Sequence, residues 1–274
     1  MKKINKIGDT LLLVDYNNIM HKSCHVYKGF THKGKFTGGV YGFIKQLLTS
    51  CEANKPTHIV MCKDSPPYLR KEFFPDYKGD RKKLDEEYFM KLEQSKKFIN
   101  EFLETMNIQI EEHKGHEADD IVAQICKTHS LLFNRIVVKS NDDDLFQLLN
   151  NKVVLERNKG AIYTLKDFKF DYDLKSTQWI DVIALKGSHN AVPGISGIGI
   201  KNAVKIVKNK DLFDKYYSDY KNLIDRNRKL IKLPYHKLDI KVDRAICEVD
   251  AKKLRLFLAE LAINIRVEDI LKVM

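Results

Sequence analysis

Three carboxylates lie within four positions, at Glu117, Asp119 and Asp120, where an apolar helical pattern begins. On a helix Glu117 and Asp120 share a face, and Asp119 lies beside them. The helix dipole tolerates acidic side chains at this end, but three so close together repel one another unless a cation lies between them. A hard divalent cation such as Mg²⁺ prefers oxygen ligands and would relieve the repulsion. The alternative is a solvated, negatively charged helix start, which this segment alone leaves open.

Further aspartates follow apolar runs that we interpret as buried strands. The runs are residues 11–14, 58–62 and 135–138, and the acidic residues after them are Asp15, Asp64, Asp142 and Asp144. In an open α/β sheet, ligands bind at the carboxyl ends of the strands. We therefore expect these aspartates to converge with the Glu117 cluster in one crevice.

The charge balance of the chain suggests which class of partner would bind at this crevice. The 274 residues include 48 Lys+Arg against 37 Asp+Glu, a formal charge of +11. A basic surface that carries an acidic cluster suggests a polyanionic partner with metal between the two. The alternative is simply a soluble basic protein. The five cysteines show no CxxC spacing, and we expect a reducing compartment and no membrane association.

The elements that must position these residues alternate between strand and helix, which predicts an α/β fold with a mixed, mainly parallel central sheet between helices. Helical patterns cover residues 40–51, about 117–132, 178–185 and 254–262. Residues 108–111 predict a short strand, and residues 153–155 and 162–163 an edge hairpin around Lys159-Gly160. The sequence changes character near Asp173, so we divide it into regions 1–180 and 181–274.

A long connection covers about residues 66–106, and its first part alternates aromatic with basic residues. Aromatic faces for bases and cations for phosphates suit a single-stranded nucleic-acid path. The alternative is an ordinary basic loop whose Phe73 and Phe74 are buried in the core.

A glycine-rich turn begins at Pro193 and leads into a lysine-bearing helix. Its members Gly194, Gly197 and Gly199 would let the backbone approach a phosphate, and Lys201 follows them. We interpret the turn as a clamp that grips phosphate backbone without reading bases.

In the order in which they occur along the chain, the motifs resemble those of the 5′-nuclease superfamily. This superfamily includes phage 5′–3′ exonucleases, flap endonucleases and the N-terminal nuclease domain of bacterial DNA polymerase I. The matching segments span most of the first 210 residues: 13–18, 37–43, Asp64, 70–81, 115–120, 141–145 and 193–199. The resemblance implies a PIN-like fold, with a catalytic domain over 1–180 and a helical arch at about 66–106. It also implies a helix–three-turn–helix DNA-binding region within 181–274.

The resemblance also implies roles for individual residues. Lys78 and Arg81 match a basic pair that contacts the scissile phosphate, and Tyr77 matches a position where an unpaired base stacks. Lys82 and Lys83 would contact DNA, as would Gly194, Gly197, Gly199 and Lys201, and the same turn would hold K⁺. The implied ligands of Mg²⁺ or Mn²⁺, direct or through water, are Asp15, Asp64, Glu117, Asp119, Asp120, Asp142 and Asp144.

One segment departs from the family pattern, which usually carries two aspartates before the Pro-Gly of the turn. Residues 187–194 contain neither, and they read Gly-Ser-His-Asn-Ala-Val-Pro-Gly. His189 or Asn190 could ligate instead, but neutral ligands favour softer ions than Mg²⁺. We therefore expect one firmly bound metal ion and a second that is weak or completed by substrate.

The resulting hypothesis is a metal-dependent 5′–3′ exonuclease or flap endonuclease of DNA replication or repair. Its expected substrates are DNA 5′ ends and flaps, with RNA–DNA hybrids as a further class. We expect a monomer in the cytoplasm of a bacterium or a phage-infected cell. The alternative is a branched-DNA binding module that has lost cleavage with the missing aspartates.

Overall fold

The central sheet explains how distant carboxylates can meet. In the computed structural model, which describes residues 9–79, 85–188, 192–242 and 249–274, six strands have the order β5-β4-β1-β6-β7-β8. The first five are mutually parallel, and only β8 runs antiparallel to its neighbour. The strands of this sheet are β1 (Thr10–Asp15), β4 (His58–Lys63), β5 (Gln109–Glu112), β6 (Arg135–Lys139), β7 (Val153–Glu156) and β8 (Ile162–Tyr163).

Short two-stranded pairs and eleven helices complete the described residues. The pairs are β2 (Thr31–His32) with β3 (Lys35–Phe36), and β9 (Gly187–Ser188) with β10 (Val192–Pro193). The helices are α1 (Tyr16–Val26), α2 (Gly38–Asn54), α3 (Arg70–Phe73), α4 (Glu86–Thr105), α5 (Ala118–His129), α6 (Leu165–Tyr172), α7 (Trp179–Lys186), α8 (Ile200–Lys208), α9 (Lys210–Ile231), α10 (Ala251–Glu260) and α11 (Val267–Val273). Residues Asp143–Leu148, Asn158–Gly160 and Ser176–Gln178 form 3₁₀ helices.

The centre of the sheet is buried on both faces because β1, β4 and β6 each contain a continuous apolar run. In β1, Leu11 and Leu13 belong to one hydrophobic cluster, and Leu12 and Val14 belong to the other. The first cluster includes apolar residues of α5, α7, α8 and α9, and the second those of α1, α2, α4, α10 and α11. This is the expected α/β fold, with the carboxyl ends of β4, β1 and β6 side by side.

The arch prediction fits only part of its range. From Leu92 to Thr105, α4 buries one face against the rest of the second cluster. Residues 80–84 lie outside the described part of the chain. The exposed Phe89 and Met90 precede the packed part of the helix, so the second half of the predicted arch is core.

The proposed division at residue 180 stays a prediction. The first hydrophobic cluster contains Phe168 and Val182, and it continues through α9 to Ile240. Helices α10 and α11 lie against α4 and α2 on the other side of the sheet. Packing is therefore continuous across this boundary.

Candidate active site

The carboxyl ends of three adjacent parallel strands carry most of the predicted acidic residues. Asp15 ends β1 and caps α1, since its side chain accepts a hydrogen bond from Asn18 N at 3.0 Å. Asp64 follows β4 and accepts from the backbone N–H of Ala118 at 2.7 Å, at the start of α5. Asp142 follows β6 and caps the 3₁₀ helix through a bond from Asp144 N at 2.8 Å. Each carboxylate is thus fixed by a backbone N–H at the start of a helix, which for Asp64 is the distant α5.

The Asp15 carboxyl is buried, and Ser140 Oγ donates to it at 2.9 Å. The pKa of Asp15 is raised to about 7, chiefly by burial and also by the negative charges of Asp64 and Asp142. The two hydrogen bonds oppose this shift but do not cancel it. Among the described residues, no positive charge contributes to lowering this pKa.

Two other carboxyls show the same crowding. Loss of hydration raises the pKa of Asp119 well above its usual range, with the charges of Asp142, Asp15 and Asp64 acting in the same direction. Burial raises the pKa of Asp144 to about 6, together with the charge of Asp142. Carboxylates from all these elements therefore share one electrostatic environment, as the sequence predicts.

Glu117 lies at the junction between this acidic group and a set of donors. Tyr77 Oη donates to Glu117 Oε2 at 2.7 Å, and Arg70 Nη1 lies 2.9 Å from the same oxygen. Lys78 Nζ forms an ion pair with Oε1. The Lys78 ammonium also lies 4.8 Å from the centroid of the Tyr68 ring. Lys78 thus places a positive charge at the edge of the carboxylate group.

The structure departs from the prediction at Asp120. This side chain is 0% exposed, and its two oxygens accept from Arg70 Nη1 and Nη2 at 2.6 and 2.7 Å. The backbone N–H groups of Tyr235 and Glu117 also donate to it, at 2.8 and 3.2 Å. Because Asp120 is fully buried, holds Arg70 through both oxygens and does not line the pocket beside Glu117, it is an ion-pair partner of Arg70 rather than a metal ligand.

Arg70 is the site residue that sequence reasoning assigned wrongly. Expected on a nucleic-acid path, it is only 3% exposed, and its Nε donates to the Leu230 carbonyl at 2.8 Å. It therefore joins α3, α5 and the end of α9. The aromatic and basic residues beside Arg70 in the sequence do not indicate that it is buried, because its burial depends on α9, which is far away in the sequence.

Tyr77 also departs from its expected role. The ring is 6% exposed and belongs to the first hydrophobic cluster, so an unpaired base cannot stack on it. Phe73, by contrast, is 41% exposed, with Lys229 Nζ 3.6 Å from its ring centroid. The alternative of a loop with both phenylalanines in the core therefore fails at Phe73. Arg81, Lys82 and Lys83 lie outside the described residues.

The glycine-rich turn shows two different uses of glycine. A Cβ on Gly194 would lie 2.1 Å from Lys186 C and O, so glycine is required for packing within the chain. A Cβ on Gly197 or Gly199 would meet nothing within 4 Å, and Gly199 directly precedes α8. The open backbone at these two positions, followed by Lys201, remains available for a phosphate. The DNA-binding helix–turn–helix assignment itself stays a prediction.

An open pocket of about 490 Å³, a volume that includes adjoining solvent, lies beside Glu117 and Asp119. Its lining includes Arg70, Tyr77, Lys78, Glu117, Asp119, Asp142, Asp144 and Ser188. The donors are carboxylate and hydroxyl oxygens, without histidine or cysteine among the described lining residues, which is the chemistry a hard divalent cation requires. Within the described ranges, no three His, Cys, Asp or Glu side chains are arranged to hold a metal ion as they stand. The donor set fits Mg²⁺ or Mn²⁺, but ligation requires side chains to exchange their present hydrogen-bond partners.

Comparisons with known proteins agree with this arrangement. The N-terminal resolvase-like domain of 5′–3′ exonucleases matches residues 10–173. A 5′-3′ exonuclease of Bacillus subtilis is 34% identical over 223 residues, covering 76% of this chain and 73% of that protein. The chain belongs to the 5′–3′ exonuclease family.

Two further relatives extend this placement. DNA polymerase I of B. subtilis is 33% identical over 213 residues, which cover 75% of this chain and 24% of that protein. The chain thus spans about a quarter of that polymerase. A bacteriophage T5 flap endonuclease, solved in a complex with DNA and metal ions, has a TM-score of 0.64 at 19% identity. The match covers 96% of this chain and 98% of the phage protein, and shows that the two share a fold.

Proposed function

We propose that this member of the 5′–3′ exonuclease family is a divalent-metal-dependent nuclease that hydrolyses phosphodiester bonds in DNA near 5′ ends and flap junctions. The observation that carries the proposal is the group of crowded carboxylates at the ends of β1, β4 and β6, with Lys78 at its edge. Raised pKa values at Asp15 and Asp144 mean that these groups are poorly compensated without a cation.

The residues that would hold divalent metal are Asp15, Asp64, Glu117, Asp119, Asp142 and Asp144. A divalent ion in such a site supplies charge neutralisation on the phosphate and activates water for attack. The remaining roles belong to the chain itself. The capping bonds of Asp15, Asp64 and Asp142 fix these carboxylates, and the surrounding core keeps bulk water from their inner side.

Lys78 acts on the phosphate that enters the pocket. Without substrate its ammonium pairs with Glu117, and a phosphate oxygen would compete for the same charge. The ammonium then stabilises negative charge that develops on the phosphate during hydrolysis. Arg81 is proposed to assist from the same segment, by resemblance to the family.

A second metal ion should bind weakly. Asp144, the carboxylate nearest the departure from the family pattern, accepts a hydrogen bond from Ser188 Oγ at 2.9 Å. The positive charge of Lys186 lowers the pKa of Asp144 against the larger effect of burial. Neutral and cationic neighbours thus occupy a region where two aspartates would attract an ion. His189 and Asn190, the candidate replacements, lie outside the described residues.

The turn before α8 is proposed to grip the DNA backbone through Gly197, Gly199 and Lys201, and to hold K⁺. Gly194 contributes by letting the turn pack on α7. Such backbone contacts select for shape and a free 5′ end rather than base sequence. RNA–DNA hybrids are a further proposed substrate, and the protein is proposed to act as a monomer in the cytoplasm. In the described part of the chain, no helix has the length and apolar character needed to span a membrane.

The competing proposal is a DNA-binding module without cleavage. The crowded carboxylates argue against it, because a site that does not bind metal gains nothing from this repulsion. A labelled 5′-flap substrate with Mg²⁺, with Mn²⁺ and with chelator separates the two. We expect cleavage that requires metal, whereas tight binding without product under any metal would support the module.

A further inference from the structure

A second pocket, of about 620 Å³, lies outside the carboxylate site and is lined by lysines. We call it the lysine pocket and define it by Lys22, Lys45, Lys139 and Lys159, with Val26 and Tyr27 as its apolar wall. It lies between α1, α2 and the turn that joins β7 to β8. Neither the sequence nor the family motifs predict a function for this pocket.

The lining has more positive than negative charge. Its residues include four lysines and no aspartate or glutamate. Lys139 pairs with the buried Glu156 at 2.6 Å, and this glutamate also accepts from Ser50 and Asn54 at 2.8 and 2.7 Å. Lys22 donates to the neutral Asn158 at 2.6 Å.

The crowding of positive charges also affects the pKa of Lys22. Burial lowers the pKa of this lysine and the charge of Lys139 acts in the same direction, while the charge of Glu156 opposes them without cancelling the shift. An anion in the pocket would oppose both effects. The lysine pocket is therefore the electrostatic opposite of the carboxylate site.

The two sites are close. Lys22 lies seven residues after Asp15 on α1, about 10 Å along the helix axis. Lys139 directly precedes Ser140, which donates to Asp15. A duplex strand rises about 3.4 Å per nucleotide, so the length of α1 between Asp15 and Lys22 corresponds to about three nucleotides.

A terminal phosphate suits the lysine pocket better than an internal one. A phosphate monoester carries about −1.5 to −2 charges at neutral pH, whereas an internal phosphodiester carries one. Val26 and Tyr27 offer apolar surface to the attached sugar and base. Together these features describe a nucleotide that bears a free 5′-phosphate.

We propose that the lysine pocket binds the 5′-phosphorylated terminal nucleotide of a nucleic-acid strand, so that a bond a few nucleotides further on reaches the carboxylate site. The consequence for cleavage rests on the proposed nuclease function, whereas binding to the lysine pocket can be measured without cleavage. It makes Lys22, Lys45 and Lys159 determinants of 5′-end selectivity.

The test compares two duplexes with 5′ overhangs that differ only in a 5′-phosphate or a 5′-hydroxyl, by fluorescence anisotropy in chelator. The combined variant carries Lys22→Gln, Lys45→Gln and Lys159→Asn; asparagine tolerates the positive φ of 59° at this position. Lys139 is left intact because its removal would leave Glu156 buried without a cation. Lys169→Gln, an exposed lysine on α6, is the matched control.

We expect the wild type and the control to prefer the phosphorylated end by about tenfold, and the combined variant by less than about twofold. No preference in the wild type, or an equal preference in the combined variant, would overturn the assignment. Melting temperatures of all variants show whether each is folded.

Competition with dAMP identifies the source of the nucleotide. Displacement of phosphorylated DNA that disappears in the combined variant supports binding of free nucleotides as well. A 5′-phosphate preference without displacement supports the strand end alone. A protein with this preference that cuts with neither Mg²⁺ nor Mn²⁺ would contradict the proposed nuclease and still support the lysine pocket.

Discussion

At the scale of single residues, Lys78 holds a positive charge in the pocket where the scissile phosphate is proposed to bind. Its ammonium touches Glu117 and lies over two tyrosine rings, so the side chain is fixed before substrate arrives. A fixed charge costs little reorganisation when negative charge develops on a phosphate.

Lys78→Ala should therefore lower turnover by about 10²–10³-fold, while duplex affinity falls by less than about threefold. Single-turnover cleavage and equilibrium binding measure the two effects separately. Lys71→Ala, an exposed change on α3, is the matched control and should leave turnover near wild type. Equal losses of affinity and turnover in Lys78→Ala would show a binding role only.

Asp15 links the site to pH. Its pKa is about 7 in the folded protein against an ordinary value of 3.8, so the folded state binds this proton more tightly than the unfolded state. The stability it contributes is full below pH 4 and is lost as pH rises through 7. Asp144, with a pKa of about 6, contributes in the same direction.

The melting temperature of the metal-free protein should therefore fall between pH 5 and pH 8. Added Mg²⁺ should raise the melting temperature more at pH 8 than at pH 5, because protons compete with the ion. Asp15→Asn should flatten the metal-free pH profile. A profile that rises with pH in the wild type would contradict the charge crowding described here.

The residue scale also shows the limits of sequence reasoning. Asp15, Asp64 and Asp142 could be placed because each directly follows an apolar strand. Asp120 could not, since it is covered by Arg70 and by Tyr235, which lies 115 residues beyond it. Tyr77 could not, since its burial depends on the first hydrophobic cluster, which extends to Ile240. Spacing along a helix identifies neighbours, but it does not show which of them a distant segment will cover.

At the scale of elements, Arg70 joins three parts of the fold. Its guanidinium binds the Asp120 carboxylate at the start of α5 and donates to the Leu230 carbonyl on α9. The side chain of Arg70 is buried. It also lies 4.8 Å from the Tyr235 ring centroid. The position of α5, which carries Asp119, therefore depends on this ion pair.

Arg70→Met should lower the free energy of unfolding by about 3–5 kcal/mol, because it leaves Asp120 charged and buried. Urea denaturation measures this, with Lys71→Met on the exposed side of α3 changing it by about 0.5 kcal/mol or less. An unchanged midpoint in Arg70→Met would mean that Asp120 finds another partner.

The elements themselves were predictable to different degrees. All central strands but the edges are continuous apolar runs, and the hairpin at Lys159-Gly160 has a clear turn signal. Helix α1 was not predicted, because its buried positions include Ser23 and Cys24, which interrupt an apolar helical pattern. The arch was extended too far along α4, since a helical pattern does not reveal whether its apolar face meets the core.

At the scale of the whole molecule, the site exists because the chain crosses the sheet repeatedly. Three adjacent parallel strands place their carboxyl ends together, and α5 adds Glu117 and Asp119 beside them. The basic surface indicated by the +11 charge attracts a polyanion to this acidic pocket. The return of α10 and α11 to the far face could not be predicted, because no local pattern specifies which surface a terminal helix covers.

The gathered carboxylates are proposed to bind a divalent cation that is required for cleaving DNA. The most direct measurement is single-turnover cleavage of a labelled 5′-flap duplex in Mg²⁺ by the wild type and by Asp119→Asn, with melting temperatures measured in parallel. We expect the wild type to cut only with divalent metal, and Asp119→Asn to cut at least about 10²-fold more slowly while remaining folded. Cleavage by folded Asp119→Asn at the wild-type rate, or wild-type cleavage that survives chelation, would contradict the account.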